Sequence, residues 1–122
     1  MDGFIKALAA GLVSDERKET LSLFGQFVGE WDFEWIYNKG AADEQRLPGE
    51  WIFSWILDGT AIQDVFICPA RGEQIPHPNA EYGTTIRFYN PSKDAWEVCY
   101  GCGDGMCVLE TKQVGDQIIL TN

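Results

Sequence analysis

The chain has 122 residues, 45% of them hydrophobic and 23% charged, enough for one small globular domain with a core of its own. It carries 19 acidic and 9 basic residues, a formal net charge of -10. That balance lacks the basic footprint that a nucleic-acid backbone or an anionic lipid surface needs, and no run approaches the roughly 20 apolar residues that span a bilayer, so neither nucleic acid nor membrane is an expected partner.

From the N-terminus, residues 1–13 contain ALAAGLV, a faint echo of a signal-peptide core. Asp2 stands where such a segment is basic, and SDERKE follows where a small-residue cleavage site belongs. The segment is therefore expected to stay in the mature protein, with a cytoplasmic location and four reduced cysteines. Phe4, Leu8 and Leu12 repeat at i, i+4 and i+8, which predicts a short amphipathic helix weakened near its end by Gly11. Ser14 followed by Asp15 and Glu16 reads as the capped start of a second helix. It would run to about Phe27, with Leu21, Phe24, Phe27 and Val28 on one face. Residues 1–28 thus form a helical segment in front of residues 29–122.

Beyond Gly29 the period changes to two. Trp31, Phe33, Trp35 and Tyr37 alternate with Glu30, Asp32 and Glu34, and after a polar loop Trp51, Phe53, Trp55 and Leu57 alternate again. An extended strand puts alternate side chains on one face, so each run lays an aromatic wall on one side of a sheet. The predicted strands are 29–38, 50–57, 61–68, 82–89, 95–101, 106–113 and 117–121. Asp58-Gly59, Asn90-Pro91, Gly103 and Gly115-Asp116 supply turns. Residues 69–80, rich in proline and glycine, read as an irregular excursion. Seven short strands with tight turns and no intervening helices predict an all-β antiparallel up-and-down barrel, closed or nearly closed.

FGQFVGEWDFEW, GEWIFSWILDGTAIQDVF and YGTTIRFYNPSKDAWEVCY together resemble the lipocalin-like (calycin-type) bacterial families of unknown function, among them DUF1579 and its relatives. The likeness covers about residues 24–96. It implies an antiparallel barrel with an internal cavity. Those relatives carry further strands after the one resembling 117–121, so the expectation is a C-terminally truncated member, or one whose barrel is closed by something else. A second copy of the chain, forming a homodimer, is the expected partner, because an unpaired apolar edge strand invites pairing. The resemblance also touches haem-binding relatives of the nitrobindin type, whose iron ligand is a histidine near the C-terminus. Here His77 is the only histidine and lies in the excursion, so no cofactor is expected.

Three constellations bear on chemistry. Cys99, Cys102 and Cys107 form C-x2-C-x4-C around a glycine-rich turn. With the hairpin centred on Gly103, Cys99 and Cys107 would face one another. They read as small strand residues, as a redox pair, or as a zinc site completed by His77 or Cys68; without a second C-x2-C the first reading leads, and no metal site is assigned. His77 has no nucleophile or acid ordered around it, and no catalytic residue is assigned. Asp64 and Arg87 sit in apolar strands: facing inward they must pair, and facing outward they meet water. Trp31, Trp35, Trp51, Trp55 and Trp96 either fill the interior or line a cavity. The expected function is binding of a small, largely apolar ligand inside the barrel. Trp35, Trp55 and Trp96 would give contact area, with Asp64 and Arg87 as polar anchors. The alternatives are an interaction module whose aromatic face forms a homodimer interface, and an enzyme using Asp64 with Arg87 or Tyr89.

Overall fold

The structure, a computed structural model, describes residues 2–75 and 77–121. Its elements are a helix α1 (Asp2–Leu8), a short strand β1 (Ala9–Ala10), a 3-10 turn (Asp15–Arg17) and a one-turn helix α2 (Ser22–Gly25). Seven longer strands follow: β2 (Gly29–Tyr37), β3 (Gln45–Ile56), β4 (Ala61–Cys68), β5 (Glu81–Asn90), β6 (Ala95–Cys102), β7 (Gly105–Val114) and β8 (Gln117–Thr121). From β2 to β8 each strand pairs antiparallel with the next, giving one up-and-down sheet. The sheet curls but does not close: β2 and β8 stand at opposite edges with no pairing between them. No helix among the described residues is long and apolar enough to cross a membrane.

Register decides the inner face. Trp31 pairs with Trp51, Phe53 with Asp64, Asp64 with Thr85, Thr85 with Tyr100, and Tyr100 with Cys107. Because directly opposed residues share a face, a single concave surface collects the aromatics of β2 and β3 with Ile62, Asp64, Thr85, Arg87, Trp96 and Val98. Of the aromatics of β5, Tyr82 and Phe88 fall on the outer face and are exposed, while Tyr89 faces inward opposite Trp96.

The N-terminal segment departs from the two predicted helices. α1 ends at Leu8, none of its residues is buried, and Leu12 is 81% exposed. β3 outruns β2, which leaves Trp55 and Ile56 with free backbone groups, and Ala9 and Ala10 pair with them instead of extending a helix. The second helix shrinks to the 3-10 turn and α2, and Ser14 makes no side-chain capping bond. Its backbone N–H instead donates to the Gly59 carbonyl at 2.9 Å, while Leu57 N–H donates to the Leu8 carbonyl at 2.9 Å. The Asp58-Gly59 hairpin is thus the anchor of the N-terminal segment. Gly59 has φ +76°, and a Cβ there would stand 2.4 Å from the Leu12 carbonyl oxygen, so only glycine suits the position.

α2 is short because packing, not helix propensity, forms it. Leu21 and Phe24 plug one end of the curled sheet and join Phe53, Ile62, Trp96 and Val98 in the core. The Phe24 ring meets Trp96 edge-on with centroids 5.0 Å apart. Gly25 lies directly under the Trp55 indole, where a Cβ would come within 2.4 Å of the ring.

Candidate functional site

Above the plug the concave face holds a pocket of about 280 Å³. Trp35, Trp51 and Phe66 form one wall; Val98, Leu109 and Leu120 form the other. Arg87, Thr85, Glu81 and Tyr100 supply its polar lining. The pocket lies just under the usual volume range for small-molecule sites, roughly 300–1,000 Å³, and shares their apolar lining with a few convergent polar groups. Four larger concavities lie elsewhere: about 830 Å³ beside residues 6–17, about 680 Å³ on the outer face beside Tyr82 and Met106, about 470 Å³ at the plugged end beside Trp96, and about 440 Å³ beside Lys93 and Glu97. None of the four has a buried charged group in its lining.

The floor is an ion pair. Ile62, not Asp64, stands opposite Arg87, so the arginine side chain reaches two residues along β4, to the next side chain on the same face, to meet the carboxylate. Nη1 donates to Asp64 Oδ2 at 2.6 Å, with the two side chains only 7% and 0% exposed. The guanidinium carbon also lies 4.7 Å from the Phe24 ring centroid and 5.3 Å from that of Phe53. The helical plug therefore packs against one face of the cation, in the geometry of a cation–π contact. Burial is tolerable because each charge has the other as its partner. Three buried polar atoms of this region have no partner among the described residues: Asp64 Oδ1, Arg87 Nε and Trp51 Nε1.

The wall aromatics brace one another. Phe66 meets Trp51 and Trp35 edge-on, at centroid distances of 5.5 and 6.2 Å, and stacks on Phe33 at 4.9 Å. Gly49 leaves the room that Phe33 fills: a Cβ there would lie 2.3 Å from the Phe33 ring. Across the pocket the Tyr100 hydroxyl donates to a Glu81 carboxylate oxygen. Burial first, and then the Glu81 carboxylate, push the Tyr100 phenol well above its ordinary range, so it stays protonated as that donor.

Of the five residues expected to contact a ligand, Trp35 and Arg87 line the pocket, and Asp64 lies buried against Arg87. Trp55 and Trp96 do not line it: both pack with α2 at the plugged end. Tyr89, weighed as a partner for Asp64, donates to Asp94 instead at 2.7 Å. His77 stays on the 69–80 connection, where its Nδ1 accepts from the Asn79 N–H. Its flanking Pro76 lies outside the described residues. Phe66, Glu81, Thr85, Val98, Tyr100, Leu109 and Leu120 also line the pocket, beyond the expected contacts. Tyr100 and Val98 alternate with Trp96, and Phe66 with Asp64, so period two places them beside expected members. Glu81 alternates with Arg87 in the same way but fell just outside the predicted strand.

The cysteines do not assemble. The hairpin turns on Gly103 and Asp104, so Cys99 pairs with Val108 and Cys107 with Tyr100. That one-residue difference from the predicted register sends Cys99 to the outer face and Cys107 to the inner one. All four thiols are free, and no cluster of three metal-binding side chains forms among the described residues. Burial, and then Glu81, raise the Cys68 thiol pKa, whereas Cys107 is exposed. The thiolate is the reactive form, so iodoacetamide at about pH 8 should label Cys107 first and Cys68 last. Peptide mass spectrometry reads the order; equal rates at the two sites would contradict the packing around Cys68.

Compared with protein-family models, with curated proteins and with solved structures, the chain gives no significant match.

Proposed function

We propose that the inner face of the sheet binds a small, largely apolar molecule, in the manner that the resemblance to lipocalin-like proteins implies. The observation that carries this reading is the pocket itself: six large apolar side chains facing one another over a buried ion pair. The space is open to solvent, with Trp35 44% and Leu120 49% exposed in its walls, so an apolar molecule has both a way in and apolar surface to cover. In this reading Trp35 supplies contact area, and Arg87 held by Asp64 supplies the polar floor. The four free thiols suit a reducing compartment such as the cytoplasm.

Titration with the uncharged dye N-phenyl-1-naphthylamine tests the pocket. Saturable quenching of tryptophan emission is expected. Trp35 is 44% exposed, so Trp35→Ala should leave the fold intact and weaken binding roughly tenfold, the effect of about 1.4 kcal/mol of lost contact. A linear, non-saturating response would remove the proposal.

The open edge supports a homodimer as well. β8 presents its outer backbone groups without a strand beside them among the described residues, and Ile119 and Leu120 are 40% and 49% exposed on it. In this proposal a second copy covers that edge, and Leu120 ties the interface to the pocket wall. Sedimentation equilibrium at micromolar concentration should give twice the chain mass, and a single-chain mass there would sink it.

A further inference from the structure

Resting on the pocket just proposed, we infer that its ligand is a cation: an apolar molecule bearing an ammonium group, held between the Glu81 carboxylate and the faces of the aromatic wall. The first observation is charge. Among the residues lining the pocket the ionisable pair of opposite sign is Arg87 and Glu81, and Arg87 is already spent on Asp64 at 2.6 Å. Glu81 makes no ion pair with any described residue; its one side-chain partner is the Tyr100 hydroxyl, which is neutral. Counting Asp64, Arg87 and Glu81, the site carries one net negative charge. The molecule around it carries -10, a field that draws cations and repels anions.

The second observation is the lining. Trp35, Trp51, Phe66 and Tyr100 all border the same small space. Aromatic faces attract ammonium groups through the ring quadrupole, and tryptophan does so best. The hydroxyl of Tyr100, donated to Glu81, fixes the carboxylate and leaves its other oxygen as a free acceptor. A carboxylate ligand would find no uncommitted cation and would meet Glu81 as a like charge. A neutral hydrocarbon would bury the Glu81 charge without compensation. Only a cation gains from the acid and the rings together, with the aliphatic wall of Val98, Leu109 and Leu120 left for its apolar body.

Calorimetric titration with three isosteric probes tests this: 1-naphthylmethylammonium, 1-ethylnaphthalene and 1-naphthylacetate. The ammonium compound should bind at least tenfold more tightly than the hydrocarbon, and the carboxylate should bind most weakly. Glu81→Gln keeps the size of the side chain and a partner for Tyr100. It should erase the preference for the ammonium probe, weakening that probe and strengthening the hydrocarbon, which no longer buries a charge. Added salt should weaken only the ammonium probe. If the hydrocarbon or the carboxylate matches the ammonium compound, or if the preference survives Glu81→Gln, the cation inference falls and the pocket stands. If none of the three binds, the pocket reading falls with it.

Discussion

Arg87→Met should cost about 3–5 kcal/mol of folding stability, the range for breaking a buried ion pair by removing one partner. The variant leaves the Asp64 carboxylate 0% exposed with no counter-charge and no hydrogen bond at Oδ2, in a wall of Phe53, Ile62 and Thr85. A change of that size lowers the thermal midpoint by roughly 10–20 °C in a domain of this length. The double variant Arg87→Met with Asp64→Leu should recover most of the loss, because two apolar side chains of similar volume replace a pair whose desolvation was never cheap. Urea denaturation of the wild type, Arg87→Met, Asp64→Leu and the double variant closes the cycle and isolates the coupling between the two sites. A single Arg87→Met variant within 1 kcal/mol of wild type would mean that water reaches Asp64, and the polar floor of the pocket would be lost as a concept.

The second large effect concerns the plug. Phe24→Ala should cost about 3–5 kcal/mol, as for other buried aromatics truncated in a core. Phe24 is 6% exposed, meets Trp96 edge-on, and lies beneath the Arg87 guanidinium. Its removal opens a void under the ion pair and detaches the one turn of α2 that has little intrinsic stability to fall back on. Phe4→Ala is the matched control. Phe4 is 67% exposed on α1, so its loss should stay within about 0.5 kcal/mol. Both are read from urea midpoints, with near-ultraviolet circular dichroism reporting the Trp96 environment. Equal effects of the two substitutions would show that α2 does not seal the sheet.

The two phenylalanines also show what a periodic pattern can and cannot tell. Phe4, Leu8 and Leu12 fit helical spacing as well as Leu21, Phe24 and Phe27 do. Spacing reports a possible apolar face, not whether anything lies opposite to cover it. Only the plugged end of the sheet has room for such a face, and Leu21 and Phe24 occupy it. The strands were far more legible. β4 and β8 run over the predicted residues, and the boundaries of β2, β5, β6 and β7 move by only a residue or so at either end. β3 begins earlier, at Gln45, because Arg46 and Leu47 are paired with β2 across the loop.

The candidate site was legible in part. Asp64 and Arg87 stood out because a charge inside an apolar alternation must either face water or find a partner. Which of those holds depends on strand register and on the curl of the sheet. The same dependence explains Trp55 and Trp96. Their alternation placed them on the inner face correctly, but only the position of α2 decides that this end of the face is core and the other end pocket.

By itself, then, the amino-acid order determined the strands, their turns and which side chains share a face, because those follow from two-residue periodicity and local turn chemistry. The tertiary structure alone decided where the space inside is filled and where it is open, that Arg87 reaches diagonally to Asp64, and that Cys99 and Cys107 part company. These depend on register and on contacts between residues far apart in the chain, where a shift of one residue moves a side chain to the opposite face.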